Sequence, residues 1–210
     1  MKLNHKGLLI VLSGPSGVGK GTVRKALFER ATHNIEYSIS MTTRGIREGE
    51  VDGKDYYFVS EEEFLRQVEA GNLLEYAKFV GNYYGTPLDK VQKELEKGNE
   101  VLLEIEVQGA LQVKEKMPEA VFIFLAPPTI DALTKRLTRR GTESKEIIKE
   151  RVDKAHREIM MANEYDYIVV NDEIENAVDK ILSIIRAEHA KCNRSLAGYL
   201  ELIQGGKVNE

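Results

Sequence analysis

Four apolar runs stand out along an otherwise polar chain: Leu8 to Leu12, Val101 to Ile105, Val121 to Leu125 and Tyr167 to Val170. They lack the strict alternation of a strand with one wet face, so they predict parallel strands buried on both sides. Between and after them, apolar residues recur at helical spacing. Val23, Ala26 and Leu27 follow the first run, Val91 and Leu95 follow Pro87, and Ile130, Leu133 and Leu137 follow Pro127-Pro128, where proline suits a first helical turn. From Ile174 onward, Val178, Ile181 and Ile185 share one face, which predicts a long C-terminal helix packed on the sheet, with a frayed tail at Gln204-Gly205-Gly206-Lys207. Strands and helices in alternation predict a doubly wound parallel α/β sheet.

Two stretches break this rhythm. From about Ser38 to Thr86, turns at Glu48-Gly49-Glu50 and Val51-Asp52-Gly53-Lys54 precede aromatic β-type pieces at Tyr56-Tyr57-Phe58 and Tyr76 to Tyr84. This predicts a small, mostly antiparallel lobe with one short helix near Glu61 to Ala70. The second stretch, Arg136 to Arg157, is dense in charge around Gly141 and predicts a mobile flap. The expected division is core 1–39, lobe 40–87, core 88–133, lid 134–158, and core with C-terminal helix 159–210. Neither an internal repeat nor a low-complexity tract is present.

Composition narrows the class. A chain of 210 residues can bury one substantial core. A net charge of -4 with interspersed signs argues against a nucleic-acid binder, so any affinity for anions must be local. One cysteine, Cys192, excludes an internal disulfide framework, and no apolar run approaches the ~20 residues that a membrane helix needs. With no signal-like apolar stretch in Met1 to Gly7, a cytoplasmic setting is expected. His189 and Cys192, three apart, are too few ligands for zinc and suit packing or the surface.

The richest chemistry follows the first strand, in Ser13-Gly14-Pro15-Ser16-Gly17-Val18-Gly19-Lys20-Gly21-Thr22. Glycines let consecutive backbone N–H groups point inward, the next helix contributes the field of its N-terminus, and Lys20 supplies a movable positive charge, so the stretch reads as a polyphosphate cradle. The bland alternative is a glycine-rich turn with no ligand, but the strand–loop–helix setting favours phosphate. Arg44 and Arg47, with Tyr56, put two guanidiniums on one turn of the lobe; alone they would be solvated charges, and beside a phosphate cradle they suggest a second anion site. Glu104 and Glu106 are expected together at the carboxyl edge of the sheet, where open α/β folds bind ligands. Glu75 is a comparable carboxylate on the lobe, able to accept two N–H bonds from a purine edge. Arg136, Arg139, Arg140 and Arg151 make the flap cationic, either as a solvated helix or as guanidiniums that close over a transferring phosphoryl group.

Taken together, these residues resemble the guanylate kinases of the nucleoside monophosphate kinase group over nearly the whole chain. The resemblance is carried by Ser13 to Lys20, Ser40-Met41-Thr42-Thr43-Arg44, Arg47-Glu48-Gly49-Glu50, Gly53-Lys54-Asp55-Tyr56, Gly81 to Thr86, Glu104-Ile105-Glu106-Val107-Gln108-Gly109, Arg136 to Thr142 and Val170-Asn171-Asp172. It implies a P-loop kinase core holding ATP, an inserted GMP-binding lobe and a helical lid. Under it, Gly14 to Thr22 and Asn171 bind ATP, while Arg44, Arg47, Tyr56 and Tyr84 hold the GMP phosphate. Ser40, Glu75, Thr86 and Glu106 read guanine, with Glu104 grouped beside them. Lys20, Arg136, Arg140 and Arg151 neutralise the moving phosphoryl group. Glu106 stands where many members have aspartate, and Thr86 where some have serine. Gly21 replaces the Ser or Thr that usually binds magnesium after the lysine, which leaves Mg2+ to ATP and water, with no direct protein ligand assigned, and gives Thr22 a phosphate hydrogen bond. The implied reaction is Mg-dependent transfer from ATP to GMP, and to dGMP, by a monomer or homodimer without nucleic-acid or membrane partners. The alternatives are a guanylate-kinase-like module that binds phosphopeptides without turnover, and a kinase for another phosphorylated acceptor.

Overall fold

The computed structural model describes residues 6–31, 35–138 and 145–204. The core is a five-stranded parallel sheet of β1 (Leu9–Ser13), β2 (Ile35–Tyr37), β7 (Glu100–Glu104), β8 (Val121–Ala126) and β9 (Tyr167–Val170), in the order β2-β7-β1-β8-β9. Central β1 pairs Leu9 with Val101 and Ile10 with Val121, and all five of its residues are buried.

Although the run Leu8 to Leu12 is continuously apolar, the period of two still sorts it. Leu8, Ile10 and Leu12 pack with Val23 and Leu27 of α1 (Lys20–Arg30) and with Val178, Ile181 and Ile185 of α7 (Ile174–Ala190). Leu9 and Val11 face the other layer, formed by Val91 and Leu95 of α3 (Leu88–Glu96) and Val113 of α4 (Val107–Lys116). The fold class is the one expected. Two details differ. β9 is an edge strand, and Ile168 in it is 60% exposed. The short edge strand β2 has only Ile35 buried and was not among the apolar runs.

The lobe is a second sheet of β3 (Met41–Thr42), β4 (Tyr57–Phe58), β5 (Leu73–Phe79) and β6 (Asn82–Pro87), ordered β4-β3-β6-β5. Two of its pairings are antiparallel, and β3 with β4 is parallel because the turn-rich segment between them crosses back before rejoining. Phe64 of α2 (Glu61–Glu69) is wholly buried and stacks on Tyr83, with centroids 5.3 Å apart; Ser60 caps the helix by accepting from Glu63 N at 3.1 Å.

The flap stretch contributes the end of α5 (Ile130–Thr138) and α6 (Lys145–Met160). Residues 139–144, with Arg139, Arg140 and the Gly141 hinge, lie outside the described residues. The C-terminal helix is two helices. After α7 the backbone turns extended at Lys191 (ψ 134°) before α8 (Cys192–Ile203). At this break the Tyr167 hydroxyl, Lys191 Nζ at 2.6 Å and Arg194 Nε at 3.4 Å converge on the carboxylate of Glu188, which is 1% exposed; the contact with Arg194, six positions on, is one that a straight helix would not bring together.

Candidate active site

The loop after β1 is built around places where a side chain cannot fit. Gly14 has φ +149°, and a Cβ there would stand 2.2 Å from the Leu125 carbonyl oxygen of β8. Gly19, at φ +100°, opens α1, and its Cβ would stand 2.8 Å from Asn171 Nδ2. Lys20 folds back over this loop, its Nζ donating to Gly14 O at 2.6 Å. Burial pushes the Lys20 ammonium below the usual lysine range, while Glu104, Glu106 and Glu158 pull it upward. The cation is therefore screened from water yet surrounded by acidic groups.

Neighbouring elements lock the loop. The buried Asn171 side chain, just past β9, donates to Val18 O at 2.8 Å. Arg136 on α5 donates to the same oxygen and to Asn171 O, each at 3.0 Å, so its guanidinium braces the loop that it was expected to serve as a phosphate partner. Arg151 on α6 reaches Ser16 Oγ at 2.6 Å. Beside them a cleft of about 690 Å³ is lined by Gly17, Gly19, Thr22, Arg136, Asn171 and Asp172. Pro15, the buried Val18 and Gly21 complete the loop.

On the lobe, Arg44 forms a two-pronged pair with Glu50, at 3.0 Å to Oε2 and 2.7 Å to Oε1, and Glu50 also accepts Arg47 N at 2.8 Å. These bonds hold the Arg44 guanidinium above, and the Glu50 carboxyl below, their ordinary pKa ranges. The Arg44 plane lies over Tyr56, 5.3 Å from its centroid, and Tyr56 meets Tyr84 edge to face at 6.0 Å. Arg47 is exposed, and Ser40 is half-buried with its carbonyl accepting from Tyr57 N. Thus Arg44, Tyr56 and Tyr84 form one constellation, with Arg47 tethered to it through its backbone.

The carboxylates divide by neighbour. A register shift between Leu73 and Tyr76 interrupts the β5 alternation, and Leu73, Leu74 and Glu75 are buried in succession. Glu75 accepts from Thr86 Oγ1 at 2.7 Å, and its Oε2 would stand 2.8 Å from a Cβ on Gly109 of α4. Glu104, closing β7, pairs with Arg24 Nε at 2.8 Å; Glu106, just before α4, pairs with Lys154 Nζ of α6 at 2.8 Å. The two thus reach the sheet's carboxyl edge with different partners. Sequence reasoning passed over Glu50, Arg24, Lys154 and Glu158. Of these only Glu50 had a local signal, its place in the turn after Arg47.

The comparisons with known proteins bear directly on this arrangement. A family model described as guanylate kinase matches residues 6–188. The chain belongs to the guanylate kinase family. Members of this family are ATP:GMP phosphotransferases. Guanylate kinase of Streptococcus thermophilus is 53% identical over 99% of this chain and 100% of its own length, and that of onion yellows phytoplasma is 58% identical over 97% of each. The crystal structure of guanylate kinase from Anaplasma phagocytophilum is similar with a TM-score of 0.75, at 39% identity over 96% of each chain. Among the described residues no helix is long and apolar enough to cross a membrane.

Proposed function

We propose that the chain moves the γ-phosphoryl group of ATP to the phosphate of GMP, or of dGMP, giving ADP and GDP, within purine nucleotide metabolism. The observation that carries this reading is the presence of two sites suited to anions: a glycine-rich loop with Lys20 folded over it after β1, and the Arg44, Tyr56 and Tyr84 constellation on the lobe. In this reading residues 40–87 are the acceptor lobe and 134–158 the lid, in a cytoplasmic enzyme supplied with both nucleotides.

No nucleophilic side chain is required, because the acceptor oxygen is already ionised. The protein's task is to place two anions in line and offset their repulsion. Lys20 would trade the Gly14 carbonyl for phosphate oxygen, and Arg151, which donates to Ser16 Oγ of the same loop, would follow the same charge. Arg136 braces the loop and stays within reach of it; Arg140, outside the described residues, is assigned the same charge-neutralising role in this reading. Ser40, Thr86, Glu75 and Glu106 would read guanine, whose N1–H and 2-amino group are donors. Adenine offers an acceptor at N1 and lacks that amino group, so it would leave a carboxylate unpaired, and such sites can reject an analogue by about 10⁴-fold.

Magnesium fits this surrounding in one respect: among the side chains at the loop, Ser16, Thr22 and Glu104 offer oxygen, the donor that suits a hard cation that keeps its waters, although Ser16 and Glu104 already have Arg151 and Arg24 as partners. When bound it would supply charge neutralisation to the nucleotide phosphates. A coupled ADP-release assay with GMP, AMP, UMP and no acceptor tests the reading. GMP should be preferred by roughly 10³-fold or more, and Lys20→Ala should lower kcat by about 10²-fold or more while GMP binding changes little. Preference for AMP, or an unchanged kcat in the variant, would refute it.

A further inference from the structure

Three polar residues of α6 face the site at helical spacing, Arg151, Lys154 and Glu158. Arg151 contacts the phosphate loop at Ser16. Lys154 Nζ lies 2.8 Å from Glu106 Oε2 and 3.5 Å from Glu158 Oε1. Glu158 is 7% exposed and within electrostatic reach of Lys20. One helix therefore touches the donor side at one turn and a carboxylate of the acceptor side at the next.

The Glu106 side chain is 56% exposed, and Lys154 is the cation within ion-pair distance of it among the described residues. A carboxylate selects between purines only if its oxygens are held where the base presents its hydrogens. Lys154 occupies Oε2 and leaves Oε1 for a donor. The lysine also pairs with Glu158, one turn further along α6 and buried. As a contribution to folding, a pair this exposed is worth little, so its consequence falls on the geometry of the site.

We propose that Lys154 is a positioning residue for purine selection: it holds the Glu106 carboxylate toward the N1 and 2-amino hydrogens of guanine and couples that contact to Arg151 on the same helix. This rests on the proposed reading of Glu106. The test compares kcat and KM for GMP and for IMP, which lacks the 2-amino group, in the full-length protein and in Lys154→Met, Lys154→Gln, Lys154→Arg, Glu106→Gln and the Lys154→Met/Glu106→Gln double variant.

Loss of the lysine should raise KM for GMP about five- to tenfold and lower the GMP-over-IMP ratio of kcat/KM by a similar factor. Lys154→Arg should keep most of the ratio, and the double variant should be no worse than Glu106→Gln alone. An unchanged ratio in Lys154→Met and Lys154→Gln, or strictly additive losses in the double variant, would overturn the proposal, even if thermal stability fell. If Glu106→Gln itself left the ratio unchanged, the fault would lie in the guanine reading of Glu106, and the proposal would fall with it.

Discussion

Glu75 is where stability and the proposed reading of guanine oppose each other most directly. It is 6% exposed and held by the Thr86 hydroxyl, and burial pushes its carboxyl above the ordinary value of 4.5. A raised native pKa means the folded chain keeps this proton longer than the unfolded chain. The associated stability is complete below the unfolded pKa and is lost as pH rises through the native one. Glu75→Gln removes this loss, so the variant should hold its melting temperature better than wild type between pH 4.5 and 7, while its GMP-over-AMP efficiency falls at least tenfold. Melting curves across that range, with kcat/KM for both nucleotides, check the two halves. At this scale the sequence disclosed residues whose neighbours in the chain already suggested a role, such as Lys20 and Arg44. Lys154 and Glu158 read as ordinary helical charges, since their meaning comes from Glu106, some fifty positions away and brought near only by packing.

Between β5 and β6 the hairpin turns on Val80 and Gly81, at φ +46° and +80°. Two positive angles in a two-residue turn match the right-handed twist of the strands, but a β-branched residue is ill suited to the first position. Val80 is also 79% exposed, so little packing compensates. Val80→Asn should stabilise the fold by about 1 kcal/mol and raise the melting temperature by roughly 2–4 °C, without altering turnover. A calorimetric scan decides it. β1 and β8 were legible as continuous apolar runs buried on both faces, and α3 and α5 as helices with one apolar face. α4 and β2 escaped: β2 spans three residues of mixed polarity, and α4 mixes two lysines, two glutamines and a glycine among its apolar positions. The break at Lys191, where Glu188 gathers its partners, was likewise hidden.

The parallel sheet gives the whole molecule a direction. Its carboxyl edge carries the phosphate loop, Glu104 and Glu106, as open α/β folds do. The opposite edge carries a buried network with no part in the proposed chemistry. There Glu100, 3% exposed, accepts Leu8 N at 2.8 Å and lies 2.7 Å from His189 Nε2 near the end of α7, tying β1, β7 and the C-terminal region together. Glu100→Ala would leave a buried N–H without that partner, at a loss of about 2 kcal/mol, whereas Glu100→Gln retains an acceptor and should lose less. Denaturant midpoints should fall in that order, with kcat the same in both. The doubly wound class was readable from alternation, yet the order β2-β7-β1-β8-β9 was not, because strands buried on both faces have interchangeable patterns.

That direction has a practical side. The chain's single thiol, Cys192, is exposed at the start of α8, beside the end of α7 and therefore at the edge away from the loop. A maleimide tether or fluorophore placed there would fasten the molecule by its back, leaving its mouth facing the bath.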